Sequence, residues 1–156
     1  GPLNVARRSP TATLLNDGRV LIAGGGNAVS TGATMPMNTA EIYDPSTGTF
    51  RLLAARMTVP RQYHTTVKLP DGTVLIVGGS LGPGLQNISR SVDKFDPATE
   101  TFTEVGQMLF PRITQVATLL RDGRVLLAFL WRRSGNLAQA TKAAARTGEI
   151  FAMTMM

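Results

Sequence analysis

Cysteine is absent from this 156-residue chain. That excludes disulfides, Cys-ligated zinc and thiol nucleophiles, and it leaves the redox compartment open. Histidine occurs once, as His64, so a metal site built on imidazoles has no second ring to draw on. No apolar run approaches the roughly 18 residues of a membrane-spanning helix. The N-terminus shows no basic-then-apolar signal pattern. Gly1-Pro2-Leu3 matches the scar of a cleaved expression tag, so residues 1–6 read as a leader. Acidic residues are scarce, 10 against 16 Lys and Arg, for a net charge of +6. Aromatic residues make up only 6%. Hydrophobic residues at 43% still suffice for a folded core. With 16 Gly and 9 Pro, the composition favours a turn-rich β protein.

What the chain does have is a repeat. Arg7, Arg61 and Arg112 each precede an Asp-Gly pair by the same distance, at Asp17-Gly18, Asp71-Gly72 and Asp122-Gly123. TATLLNDGRVLIAGG, HTTVKLPDGTVLIVGG and QVATLLRDGRVLLAFL surround those pairs. A second marker follows, AEIYDPSTGTF and then VDKFDPATETF, with GEIF at 148–151 answering it in the third copy. Met57 and Met108 stand just before the next arginine. The apolar runs around each Asp-Gly predict hairpins pairing 11–15 with 19–23, 65–69 with 73–77, and 116–120 with 124–128. Type I′ turns, with positive φ at both central residues, are expected to close them. Asp44-Pro45 and Asp96-Pro97 predict turns joining a third strand to a fourth. Unalternating runs such as 20–23 predict strands covered on both faces. Leu21, Ile22, Leu75, Ile76, Leu126 and Leu127 are then expected in the core. Segments 26–38, 80–91 and 131–147 read as loops, the last with an Ala-rich stretch at 136–146 that predicts a short helix.

A four-strand unit of about 50 residues, with a glycine doublet after the second strand and a Tyr-Asp-Pro turn, resembles the kelch repeat of β-propellers. Gly24-Gly25, Gly78-Gly79, Tyr43-Asp44-Pro45, Phe95-Asp96-Pro97 and the arginine series carry the resemblance. DGRVLIAGG and DGTVLIVGG are similar to the bacterial and galactose-oxidase-like branch of that family. Phe50 and Phe102 stand where kelch repeats usually have Trp, and Phe129-Leu130 replace the third doublet. The expected fold is all-β, with kelch repeats at 7–60 and 61–111 and a degenerate, incomplete one at 112–156. Propellers close with about four to eight blades, so three blades predict a homodimer sharing a six-bladed ring.

The doublets read as points of close approach or sharp turning, since no Gly-Lys-Ser/Thr follows to make a phosphate cradle. The arginines are expected to pair with carbonyls or a carboxylate, such as Asp44 or Asp96 of the turns; an anionic ligand is the competing role. His64 reads as a strand residue. Asp17 and Asp71 read as turn formers, and no two carboxylates are placed for acid–base work. No catalytic residue, metal or cofactor is assigned. Trp131-Arg132-Arg133 is a basic-aromatic cluster without a nucleic-acid motif, so nucleic acid is disfavoured as a partner, and no membrane partner is expected. The resemblance implies a non-catalytic module that binds a protein or glycan through loops at one face. Candidate contacts are Asn27, Ser30, Arg61, Tyr63, His64, Asn87, Arg90, Arg132 and Arg133. The alternatives are a carbohydrate-active enzyme, mutarotase-like or hydrolytic, and a fragment whose main property is self-assembly. The family's copper-radical oxidases need a Cys cross-linked to Tyr and two His ligands, which this chain lacks.

Overall fold

Short apolar runs broken by Gly, Pro and Asp build antiparallel sheets. The computed structural model describes residues 1–29, 32–83, 87–113 and 115–128, and the backbone of 151–153. Blade 1 has the strand order β1 (Thr11–Leu14), β2 (Val20–Ala23), β5 (Ala40–Asp44), β6 (Thr49–Leu52). Blade 2 repeats it with β7 (Thr65–Lys68), β8 (Val74–Val77), β9 (Ser91–Asp96) and β10 (Thr101–Gln107). Blade 3 comprises β11 (Val116–Leu119), β12 (Val125–Ala128) and β13 (Phe151–Met153). The first strands lie side by side, β1 against β7 and β7 against β11. The Thr13 and Thr66 hydroxyls meet there at 2.8 Å. No helix occurs among the described residues. The helix expected at 136–146 lies outside them.

Two apolar layers fill the gaps between blades. Leu15, Leu21, Ala23, Ile42, Leu53 and Met57 of repeat 1 meet Val74, Ile76 and Phe95 of blade 2, with Phe102 at the edge. On the other face of blade 2, Leu75, Val77, Val92 and Met108 meet Val125 and Leu127. Successive residues of β8 therefore point into different layers, and all four are buried.

The strands and turns depart from the sequence reading in four places. The Asp-Gly turns are not type I′, because only the glycine has positive φ, +87° at Gly18 and +88° at Gly72. In each, the glycine N–H donates to a carbonyl three residues back, Gly72 to Leu69 at 3.0 Å, and the strand closes at Leu69 N to Thr73 O. That is a type I turn with a glycine bulge. The aspartate stabilises it by accepting from the backbone two residues on, as Asp71 does from Thr73 at 2.9 Å. Second, Ile22 and Leu126, expected in the core, are half-exposed. They point away from blade 2, toward the free ends of the arc. Third, the expected loop 26–38 contains a small hairpin of β3 (Gly26–Ala28) and β4 (Thr34–Pro36). Fourth, blade 3 is out of step. Val20 opposes Tyr43 and Val74 opposes Phe95, but Val125 opposes Met153 rather than Phe151. Phe151 thus pairs with Leu127 and does not take the register of Tyr43 and Phe95.

Candidate functional site: the loop end of the blades

Antiparallel pairing sorts the connections to two ends. The Asp-Gly and Asp-Pro turns share one end. The segments after the glycine doublets, the blade-to-blade connectors and the residues leading into the inner strands share the other. An ion pair anchors each of the first two blades at this loop end. Arg61 is fully buried and donates to Asp93 Oδ1 at 3.0 Å, with further bonds to Gly78 O and Ser91 O. Thr58 in the incoming connector caps the same carboxylate through its N–H at 2.8 Å and hydroxyl at 2.7 Å. Arg7 repeats the arrangement with Glu41, Gly24 O and Thr39 O. Here Asn4 and Val5 are the caps. Burial works to raise the Glu41 carboxyl, but these hydrogen bonds outweigh it and hold it below its ordinary value. Burial lowers the Arg61 guanidinium, while the charge of Asp93 opposes that. The carboxylate partners thus lie within the third strands, not at Asp44 and Asp96 as the sequence suggested. Those two instead accept from the backbone N–H of Ser46 and Ala98 in their own turns.

The glycine doublets hold consecutive blades together. Gly25 N–H donates to Arg61 O and Gly79 N–H to Arg112 O, each at 2.9 Å. A Cβ on Gly78 would stand 2.6 Å from Arg112 O, so no larger residue fits without movement. Met57 and Met108 pack against the first glycine of each doublet, which accounts for their fixed place in the repeat. His64 bridges the first joint, with Nε2 2.9 Å from Thr11 Oγ1. Burial, then the nearby Arg61 charge, pushes its pKa down to about 3. At the second joint Gln115 stands in its place and donates to Val77 O at 2.7 Å.

Gln62, which the sequence did not single out, ties the loops of both blades. It accepts from Thr34 Oγ1 at 2.9 Å and donates to Gly82 O at 3.2 Å. Beside it a cleft of about 320 Å³ is lined by Arg8, Asn27, Ala28, Gly26 and Gly32. Of the residues chosen from sequence, Asn27, Asn87 and Arg90 are exposed at this end. Tyr63 is half-buried and, like Asn87, has left-handed backbone, φ 57° and 54°. Arg61 and His64 are sunk between strands, in structural positions. Ser30, Arg132 and Arg133 lie outside the described residues. Arg8 and Gln62 share a register, the position after each arginine; a residue that differs between otherwise similar copies was the available signal.

Among the described residues no three His, Asp or Glu side chains converge as a metal site. With no Cys, and the single His sunk against Thr11, the copper centre implied by the oxidase branch does not fit this chain.

Blades of four antiparallel strands, joined through glycine doublets and buried arginines, define a β-propeller repeat. The kelch motif model matches residues 7–56 and 63–109, more than half of the chain, and the chain belongs to the kelch family. The solved structure of YjhT is similar with a TM-score of 0.67 at 17% identity, over 78% of this chain and 43% of that one. A fungal alcohol oxidase of the AA5 family, in complex with copper, is similar with a TM-score of 0.67 at 22% identity, over 78% of this chain and 27% of that one. This chain therefore spans less than half the length of either. No curated protein matches it.

Proposed function

We propose that this chain is a kelch binding module that recognises a macromolecular partner through the loop end of its blades. The observation that carries this is the placement of exposed side chains, in segments that differ between the repeats, on a fixed frame. Arg8, Asn27, Asn87 and Arg90 stand on segments pinned by the Arg7–Glu41 and Arg61–Asp93 pairs and by Gln62. Loops on a rigid scaffold suit recognition because they can vary while the scaffold holds them in place. Peptide and glycan arrays test it, probed with the intact chain and with a variant whose 26–38 and 80–90 segments are replaced by Gly-Ser linkers. Loop-dependent binding is expected. Binding that survives both replacements, or metal-independent turnover of a sugar, overturns the reading.

We also propose that the arc closes against a second copy. Val20, Ile22, Tyr43 and Phe50 of blade 1 form the counterpart of Val74, Ile76, Phe95 and Phe102, yet they remain half-exposed. Leu120 and Leu126 at the other end are half-exposed as well. The two free faces are of opposite kind, as ring closure by a two-fold dimer requires. Phe129-Leu130 occupy the register of a glycine doublet, so that junction differs in detail from the two inside the chain. Light scattering should give twice the chain mass; a folded monomer at micromolar concentration overturns the dimer.

A further inference from the structure

The two ends of the blades differ in charge. Segments 1–10, 24–39, 53–64, 78–91 and 106–115 make up the loop end, and none contains Asp or Glu. The carboxylates nearest to it stand on strands: Glu41 and Asp93 are fully buried against Arg7 and Arg61, and Glu104, opposite Asp93 on the outer strand, is exposed and accepts from Gln107 Nε2 at 3.2 Å. Asp17, Asp44, Asp71, Asp96, Glu100 and Asp122 all stand in turns at the opposite end. Three cations toward that end are matched: Arg19 pairs with Asp17 and Glu100, Arg51 with Glu100, and Arg124 with Asp122. At the loop end, Arg8, Arg56 and Arg90 are exposed. Arg90 donates to the Met108 carbonyl, and none of the three faces a carboxylate among the described residues.

Apolar side chains share the loop end. Val29 and Met35 are exposed on the β3–β4 hairpin, and Leu109 and Phe110 on the connector beside Arg90. Leu109 is 63% exposed and stands where Asn4 and Thr58 cap a carboxylate in the earlier copies. An apolar residue has replaced a polar one at a position turned toward water.

From these observations, and resting on the loop-end reading above, we propose that the partner is an acidic polypeptide segment carrying apolar side chains. Charge complementarity of this kind speeds encounter and selects partners, while arginine and exposed apolar side chains supply the buried contacts. The apolar positions favour polypeptide over nucleic acid. A base-stacking surface would need several aromatic rings, and the described loop end offers only Tyr63 and Phe110.

Fluorescence anisotropy with a labelled peptide of repeating Glu-Glu-Leu-Phe tests the proposal. The controls are repeating Glu-Glu-Ser-Gly, repeating Lys-Lys-Leu-Phe and an oligothymidine of equal charge. The acidic-apolar peptide should bind best, and added salt should weaken it. The triple variant Arg8→Glu, Arg56→Glu, Arg90→Glu should weaken it by at least about tenfold. The charge-matched variant Lys68→Glu, Lys94→Glu, Arg121→Glu, away from the loop end, should bind as the parent does. Thermal melts establish that both variants fold. Equal binding of the Lys peptide, tighter binding of the oligothymidine, or an unchanged triple variant overturns the proposal. If the arrays still show loop-dependent binding to a neutral partner, the charge inference fails while the loop-end reading stands. If array binding does not depend on the loops, that reading fails first.

Discussion

Strands β2 and β8 carry nearly the same residues, Val-Leu-Ile-Ala and Val-Leu-Ile-Val, and meet different fates. All four residues of β8 are buried, whereas Val20 and Ile22 of β2 are half-exposed. The aromatic pairs behind them match in geometry, Tyr43–Phe50 at 4.7 Å and Phe95–Phe102 at 4.8 Å, both tilted by 40°. The internal build of a blade is therefore set by its own sequence. Its burial is set by what stands on either side. Blade 2 is flanked by two blades, and blades 1 and 3 by one each.

That comparison can be broken most sharply at Asp93. Asp93→Asn leaves Arg61 buried without its counter-charge, and urea unfolding should show a loss of about 3–5 kcal/mol. A loss no larger than that of an exposed pair would mean that Arg61 can reach water. Next comes Ile76→Ala, which removes a side chain packed between two blades and should lose about 2–5 kcal/mol. Ile22→Ala, its counterpart on the free face of blade 1, should lose about as much in the same titration where a second copy covers that face; a markedly smaller loss would leave the face open and count against the dimer.

The two joints differ in their response to acid. His64 is held neutral in the folded chain, with its pKa lowered from 6.5 to about 3. The unfolded chain then takes up the extra proton, so stability contributed here is complete above pH 6.5 and is lost as pH falls toward 3. The carboxylates with depressed pKa, such as Glu41 and Glu100, lose their contribution only below about their ordinary 4.5. Melting temperature between pH 6.5 and 4.5 should fall for the parent and stay flatter for His64→Gln, which copies Gln115. Parallel curves would remove His64 from the joint. The smallest effect is expected at Glu100. It occupies left-handed backbone at φ 54°, where blade 1 has Gly48 at φ 65°, and it accepts from Arg19 and Arg51. Glu100→Gly relieves that strain and loses two half-exposed ion pairs, so the net change should stay within about 1 kcal/mol. A larger loss would assign those pairs a real part in joining blade 1 to blade 2.

The repeat was legible because identical turns and apolar runs recur in the same order. Strand positions, the function of the glycine doublets and the structural use of the arginines followed from it. The carboxylate partners did not, because Asp44 and Asp96 stand out in sequence while Glu41 and Asp93 merely interrupt a strand. Only the pairing of β2 with β5 and β8 with β9 brings them back to the arginines. The turn class was missed because Asp-Gly serves both hairpin types, and the residue before it, Asn16, Pro70 or Arg121, does not by its type tell them apart. Ile22 and Leu126 were misplaced because an apolar run does not reveal whether its second neighbour exists. At the binding end, residue type indicated Asn27, Asn87 and Arg90. Arg8, Arg56 and the sorting of charge to opposite ends became visible only once the connections were assigned to ends.

Thr58 belongs to the chain leaving blade 1, yet it caps a carboxylate inside blade 2. Each blade is thus finished by a few residues borrowed from the strand traffic before it, and its contacts reach no farther than the adjoining unit. Such a chain has near-neighbour cooperativity. Once the two copies have separated, unfolding of each chain should begin at an end and advance unit by unit, and the amide protons of β8 should be the last to exchange. The same locality makes the unit easy to copy. A duplicated segment that begins at the connector rather than at the arginine carries its own cap, and can be inserted between two existing blades without leaving a buried charge unmatched.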